Sequence, residues 1–246
     1  MHSESPEISI KPEILTYIGN FPVTNSYFTS LFVLVVCFIV AAYYYSQIHK
    51  TKKSLAFYVI HSSVKGLYSF FESILGAKVN TFFTLIGGLF IYILFTNWIG
   101  LLPGVGSILI EGADHHLVPL FRGNTADLNT TSALALVSFA MTQFYGVRYL
   151  GLFGYLGKFF NFSSVVYFFV GILELVSEFS RIISFSFRLF GNIFAGEVIL
   201  TIMAFLVPVL VPFPFLMLEI FTGFIQALVF AMLTAVFINL AITKQH

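Results

Sequence analysis

Four stretches of this chain carry no aspartate, glutamate, lysine or arginine over lengths that match a lipid bilayer. They are Tyr27 to Tyr45, Thr81 to Leu102, Ser132 to Val147 with its flanks, and Phe221 to Ile242. A hydrocarbon core about 30 Å thick takes about 20 helical residues. Backbone amides and carbonyls inside it must be satisfied within the protein, and a helix does so within its own segment. The expectation is an all-α, polytopic integral membrane protein. Composition agrees, with 58% hydrophobic and only 9% charged residues, against about 25% charged in a typical soluble domain. The formal net charge of +1 comes without a basic patch, which gives no reason to expect nucleic acid as a partner. Residues 1–26 read as an N-terminal extramembrane segment and 27–246 as a single membrane domain. Glu4, Glu7, Lys11 and Glu13 do not make the basic and apolar pattern of a signal peptide. One cysteine, Cys37, falls inside the first span, so no intrachain disulfide is possible, and a buried structural thiol is expected.

The segments between these runs set the topology. From Lys52 to Lys78, Phe57, Ile60, Val64, Leu67, Phe71 and Ile74 recur at steps of three and four, with Lys65, Ser69, Glu72 and Ser73 between them. That pattern predicts an amphipathic interfacial helix. Val165 to Leu206 is 42 residues, which as a straight helix is about 63 Å long, twice the core thickness. It is either one steeply tilted crossing or two spans. His49, Lys50, Lys52 and Lys53 follow the first span, Arg148 and Lys158 the third, and Lys244 the last, whereas Pro103 to Thr131 holds Glu111, Asp114, Asp127 and one base, Arg122. The positive-inside rule then puts the N-terminus and the acidic connection outside and the amphipathic helix inside, with five crossings if the long segment crosses once. Pro208, Pro212 and Pro214 mark the turn between the long helix and the last.

The long segment carries the chemistry. Its 24 Leu, Ile, Val and Phe residues favour insertion by roughly 7 to 14 kcal/mol. Glu174, Glu178, Arg181, Arg188 and Glu197 oppose it by roughly 12 to 17 kcal/mol, so one side must face protein or water. Arg188 has no acidic residue three or four positions away and cannot shed its proton. Ser184, Gly191 and Ala195 share its stripe and let another helix approach closely. This describes a docking surface for a helix bearing a carboxylate; the alternative is an intrachain pair with Glu219. Asn192 lies one turn on. Glu197, nine residues further, falls on the opposite side of an ideal helix at about 100° per residue. Glu219 and Gln226 are seven apart on the last helix and share a face. Glu197 and Glu219 are either proton-relay groups or hydrogen-bonded structural carboxyls. Glu178 and Arg181 suit a structural ion pair at three-residue spacing, and Glu174 either lines an aqueous entrance or snorkels. Asp114, His115 and His116 are a poor metal set, because adjacent side chains diverge. Gly151, Gly154, Gly157 and Lys158 miss the spacing of a phosphate loop, with Phe159 at the hydroxyl position. No nucleophile and base share a usable spacing.

The stretch SFSFRLFGNIFAGEVIL, Ser184 to Leu200, resembles the signature of subunit a of the F-type ATP synthase membrane sector. TADLNTTSALAL at Thr125 to Leu136, IQALVF at Ile225 to Phe230 and FTNWIGLLPG at Phe95 to Gly104 agree with that family in order and spacing. The resemblance implies that Arg188 is the stator arginine facing a rotating ring of c subunits, with Asn192 and Gln226 as polar neighbours. It implies that Glu197 and Glu219 lie on an outer access channel and Glu174 near an inner one. It also implies that the long and last helices form a tilted membrane-embedded hairpin, with peripheral-stalk b subunits and the lipid bilayer as further partners. No cofactor, catalytic site or direct nucleotide binding is implied. The expected function is a proton-translocating stator with two offset half-channels, in a bacterial plasma membrane or alternatively an organelle inner or thylakoid membrane. The rival is a stand-alone secondary ion transporter using the same charges, but such folds show internal repeats and none is visible.

Overall fold

The computed structural model describes residues 11–102, 108–113, 116–159, 164–207 and 211–243, apart from the side chains of Ile18 and Phe21. A short antiparallel hairpin, β1 (Ile14–Ile18) and β2 (Phe21–Thr24), leads into helix α1 (Asn25–Ile48). There follow α2 (Leu55–Leu75), α3 (Val79–Ile99), a second hairpin of β3 (Leu109–Glu111) and β4 (Leu117–Pro119), then α4 (Leu128–Leu150), α5 (Leu152–Phe159), α6 (Val165–Leu206) and α7 (Pro212–Ile242). Four helical stretches among the described residues are long and apolar enough to cross a membrane: Asn25–Ile48, Leu55–Ile99, Val165–Leu206 and Pro212–Ile242. The protein is an all-α polytopic membrane protein. The two hairpins, which sequence patterning does not reveal, belong to its connecting segments.

Local chemistry sets the ends of these elements. Thr24 caps α1 by accepting the Tyr27 amide at 3.2 Å, and Asp127 caps α4 by accepting the Asn129 amide at 3.0 Å. Gly76, at φ +55°, ends α2 before a single 3-10 turn leads into α3. In α2 the predicted stripe of Phe57, Ile60, Val64, Leu67, Phe71 and Ile74 is buried or half-buried, and Lys65, Ser69, Glu72 and Ser73 are exposed. The long segment is one unbroken helix of 42 residues, not two. Pro212 and Pro214 do not lie in the turn before the last helix; they begin α7, where a missing amide costs nothing. Pro208 and Lys244 lie outside the described residues.

The core lies among α2, α3, α4, α6 and α7. Phe71, Phe82, Ile86, Ile93, Leu189 and Ile238 are fully buried there. Ala227, Ala231 and Ala235 repeat at four-residue steps on the buried face of α7, the spacing that brings helix backbones close in lipid. Helix α1 stands at the edge. It buries Asn25, Ser26, Thr29, Val33 and Gln47 and exposes Leu31, Leu34, Val35, Phe38 and Ile39. Cys37 is a free thiol only half-buried there, not enclosed as its apolar surroundings suggest.

Candidate functional site

Polar contacts gather three distant segments around α6 and α7. The Asn97 amide donates to the Gly223 carbonyl at 2.9 Å and accepts from the Thr125 hydroxyl at 2.7 Å. The Trp98 indole donates to the Ile220 carbonyl at 3.0 Å. The Ser132 and Ser186 hydroxyls meet at 2.8 Å, as do those of Ser138 and Thr234. Residues from the 95–104, 125–136 and α7 stretches therefore act together in fixing α7 against α3 and α6 against α4, with each polar group satisfied as a low-dielectric interior requires.

On that scaffold α6 has two unlike sides. Phe185, Ser186, Leu189, Ile193 and Gly196 are buried, with the Phe185 ring 4.9 Å from that of Phe230. Ser184, Arg188, Gly191 and Ala195 are exposed along one stripe. Arg188 Nη2 donates to Ser184 Oγ at 3.1 Å, and its guanidinium carbon lies 6.0 Å from the Phe185 ring centroid. Among the described residues no carboxylate oxygen comes within ion-pair distance of Arg188. Glu219 does not neutralise it.

Instead Glu219 is buried on α7 with its carboxylate against Gly196. A Cβ on Gly196 would occupy the same space as the carboxylate oxygens. Glycine at this position permits the close approach of α6 and α7. Gln226 is buried on the same face of α7, and Asn192 is half-buried on α6. One buried oxygen of Glu219 and one of Glu197 have no hydrogen-bond partner among the described residues. Glu197 Oε1 lies 3.9 Å from Arg122 Nε. Sequence patterning records Arg122 only as the one base in an acidic connection. Its place just ahead of the Thr125 to Leu136 motif is the signal that singles it out.

Toward the other end of α6, Lys158 and Glu174 form an ion pair at 2.5 Å. Glu178 is buried and accepts from Arg181 Nη1 and from Gln143 Nε2, both at 3.0 Å, while Tyr155 donates to Gln143 Oε1. The Arg181 guanidinium carbon lies 3.6 Å from the Phe237 ring centroid. The glycines at 151, 154 and 157 form no phosphate cradle: residues 152–159 are the helix α5. Asp114 and His115 lie outside the described residues, and among the described residues no group of three His, Cys, Asp or Glu gathers.

The model of the ATP synthase A chain family matches residues 26–239. The chain belongs to that family. It is similar to ATP synthase subunit a of Moorella thermoacetica, 28% identical over 235 residues, with 93% of this chain and 95% of that protein covered. It is also similar to the sodium ion specific ATP synthase subunit a of Propionigenium modestum, 33% identical with 92% and 77% covered, and to subunit a of Helicobacter pylori, 35% identical with 73% of each covered. As a member of the ATP synthase A chain family, this protein is a proton-translocating stator component of the membrane sector and has no catalytic role of its own. Membership implies interaction with the c-ring and the b subunits. It is a multi-pass membrane protein, and its bacterial relatives indicate the bacterial plasma membrane.

Proposed function

We propose that the Arg188 stripe faces the c-ring and that this chain supplies two offset half-channels separated by that arginine. One observation carries the reading: a permanent cation, with no carboxylate beside it among the described residues, stands on an exposed row of small side chains. A group costing roughly 2.5 to 3.5 kcal/mol at the bilayer centre requires a counter-charge from another chain. Protons enter from outside past Glu219 and Glu197 and neutralise a ring carboxylate, which then turns into lipid. A carboxylate arriving from the other side releases its proton toward the inside, where Glu174, paired with Lys158, stands at the mouth. Asn192 and Gln226 line the approach. Arg188 attracts each ionised carboxylate, favours proton release there, and repels a proton that would pass straight through. The membrane potential supplies about 2.3 kcal/mol per charge per 100 mV. Glu178 and Arg181 are a structural pair that anchors α6.

In this reading the chain crosses five times, with α1, α3, α4, α6 and α7 spanning and α2 along the inner surface. The N-terminal segment, residues 1–26, lies outside, and 27–246 form one membrane domain. Cysteine cross-linking tests the stator surface. With Cys37 replaced, Ala195→Cys should form a disulfide with a cysteine at the middle of a c-subunit helix in native membranes, and the cross-link should block ATP-driven proton pumping. No cross-link, beside an active control and a positive cross-link elsewhere in the same complex, would overturn the reading.

A further inference from the structure

Arg122 joins three parts of the chain at one point. Its backbone amide donates to Thr29 Oγ1 of α1 at 3.2 Å, its Nη1 donates to the Lys11 carbonyl at 2.7 Å, and its Nε lies 3.9 Å from Glu197 Oε1 on α6. The arginine side chain is 9% exposed and that of Glu197 41%, so the cation is nearly enclosed while the glutamate side chain is partly open. The segment carrying Arg122 is held firmly. Phe121 packs against Phe28 at 5.5 Å and Phe32 at 5.3 Å between ring centroids. Just beyond, Gly123 lies so close to the end of α3 that a Cβ on Gly100 would stand 2.8 Å from its Cα. A guanidinium on so fixed a base has little freedom to follow Glu197; the carboxylate must settle toward it.

We propose that Arg122 is a positioning residue of the outer access path, holding the Glu197 carboxylate in place from the loop side. This rests on the reading above that Glu197 conducts protons from outside. Guanidinium keeps its charge at any working pH, so the anchor stays while Glu197 gains and loses its proton. At 3.9 Å the contact is an ion pair and not a tight bidentate lock. Glu197 is oriented without being fixed in its charged form, which a relay group requires. The same contact ties proton entry to the order of the segment around Lys11 and to the outer end of α1.

The test is passive proton conductance through the complete membrane sector, in vesicles stripped of the catalytic head, with the amount of assembled subunit measured in parallel. Arg122→Gln should lower conductance per assembled complex about fivefold, within the range of coupling between contacting charged groups. Arg122→Lys should recover part of it, since an ammonium returns a charge without the guanidinium's fork. Glu197→Gln should lower conductance, and adding Arg122→Gln to it should lower it no further. Wild-type conductance in Arg122→Gln, no recovery with lysine, or independent losses in the double variant would each overturn the proposal while leaving the outer path intact. Unaltered conductance in Glu197→Gln would overturn the outer path itself. If Arg122→Gln alone does not assemble, the double variant leaves no carboxylate unpaired. It should then assemble and conduct like Glu197→Gln, and its failure to do so would overturn the proposal.

Discussion

Gly196 and Glu219 show how little room the site leaves at the scale of single residues. The Glu219 carboxylate fills the space that any side chain at 196 would need. What a Cβ there would meet is the far end of a flexible side chain, which can swing aside, so the change falls on the position of the carboxylate, a group of the proposed outer path, more than on stability. Gly196→Ala should therefore reduce ATP-driven proton pumping by displacing the Glu219 carboxylate, and Glu219→Asp, one methylene shorter, should recover part of it in the same chain. Pumping in membranes with matched amounts of assembled complex measures both, and an unaffected Gly196→Ala variant would show that the two helices can part freely. The stripe of Ser184, Arg188, Gly191 and Ala195 is legible in the sequence because helical spacing alone places these residues together. The Arg122 contact with Glu197 is not, since nothing local links a loop base to an acid on a helix far along the chain. Nor does helical spacing alone reveal that Gly196 is the seat of the Glu219 carboxylate.

Among elements, the N-terminal half of α6 depends on a polar network that connects three helices. Glu178 is 5% exposed and takes hydrogen bonds from Arg181 on its own helix and Gln143 on α4, with Tyr155 of α5 completing the set. Removing one member of a buried pair leaves the other charge uncompensated, at a cost of about 3–5 kcal/mol, and Arg181 is sheltered enough to bear the lower part of that range. Glu178→Ala should thus lower the amount of this subunit in membranes several-fold, while the complexes that do assemble retain pumping per complex. Quantitative immunoblotting beside pumping rates separates the two, and intact assembly with lost pumping would instead make Glu178 part of the proton path. Helices α1, α3, α4 and α7 are readable from uncharged runs, α6 from its length and apolar content, and α2 from its period. The short helix α5 and the hairpins β1–β2 and β3–β4 are not. They are pieces of three to eight residues, too short for periodicity to separate from loops, and α5 is fixed by Tyr155 reaching α4 and by Lys158 reaching α6.

For the whole molecule, the coupling ion is set by the path and the rotor together. A relative of comparable identity, that of Propionigenium modestum, is sodium ion specific, whereas the outer path proposed for this chain is built on two carboxyls, Glu197 and Glu219. A pair of acids suits proton exchange, whereas sodium needs several oxygen donors at once. ATP-driven acidification of vesicles holding the complete enzyme should accordingly proceed at full rate in sodium-free medium. A strict dependence on added sodium would reverse that assignment.

The open face of α6 has a mechanical meaning. Interlocked side chains fasten helices to one another, and surfaces that must slide need low relief. Ser184, Gly191 and Ala195 give α6 a row of low relief beside Arg188 on a side that its own chain leaves uncovered, with the bulkier Ile183, Phe187 and Ile199 exposed around it. On the proposed reading that the Arg188 stripe faces the c-ring, this row works as a bearing with a single electrostatic detent. A passing ring would meet little steric friction between steps and would register its position only where a bare carboxylate draws level with the guanidinium. Bulk added at Gly191 or Ala195 would then act as a brake.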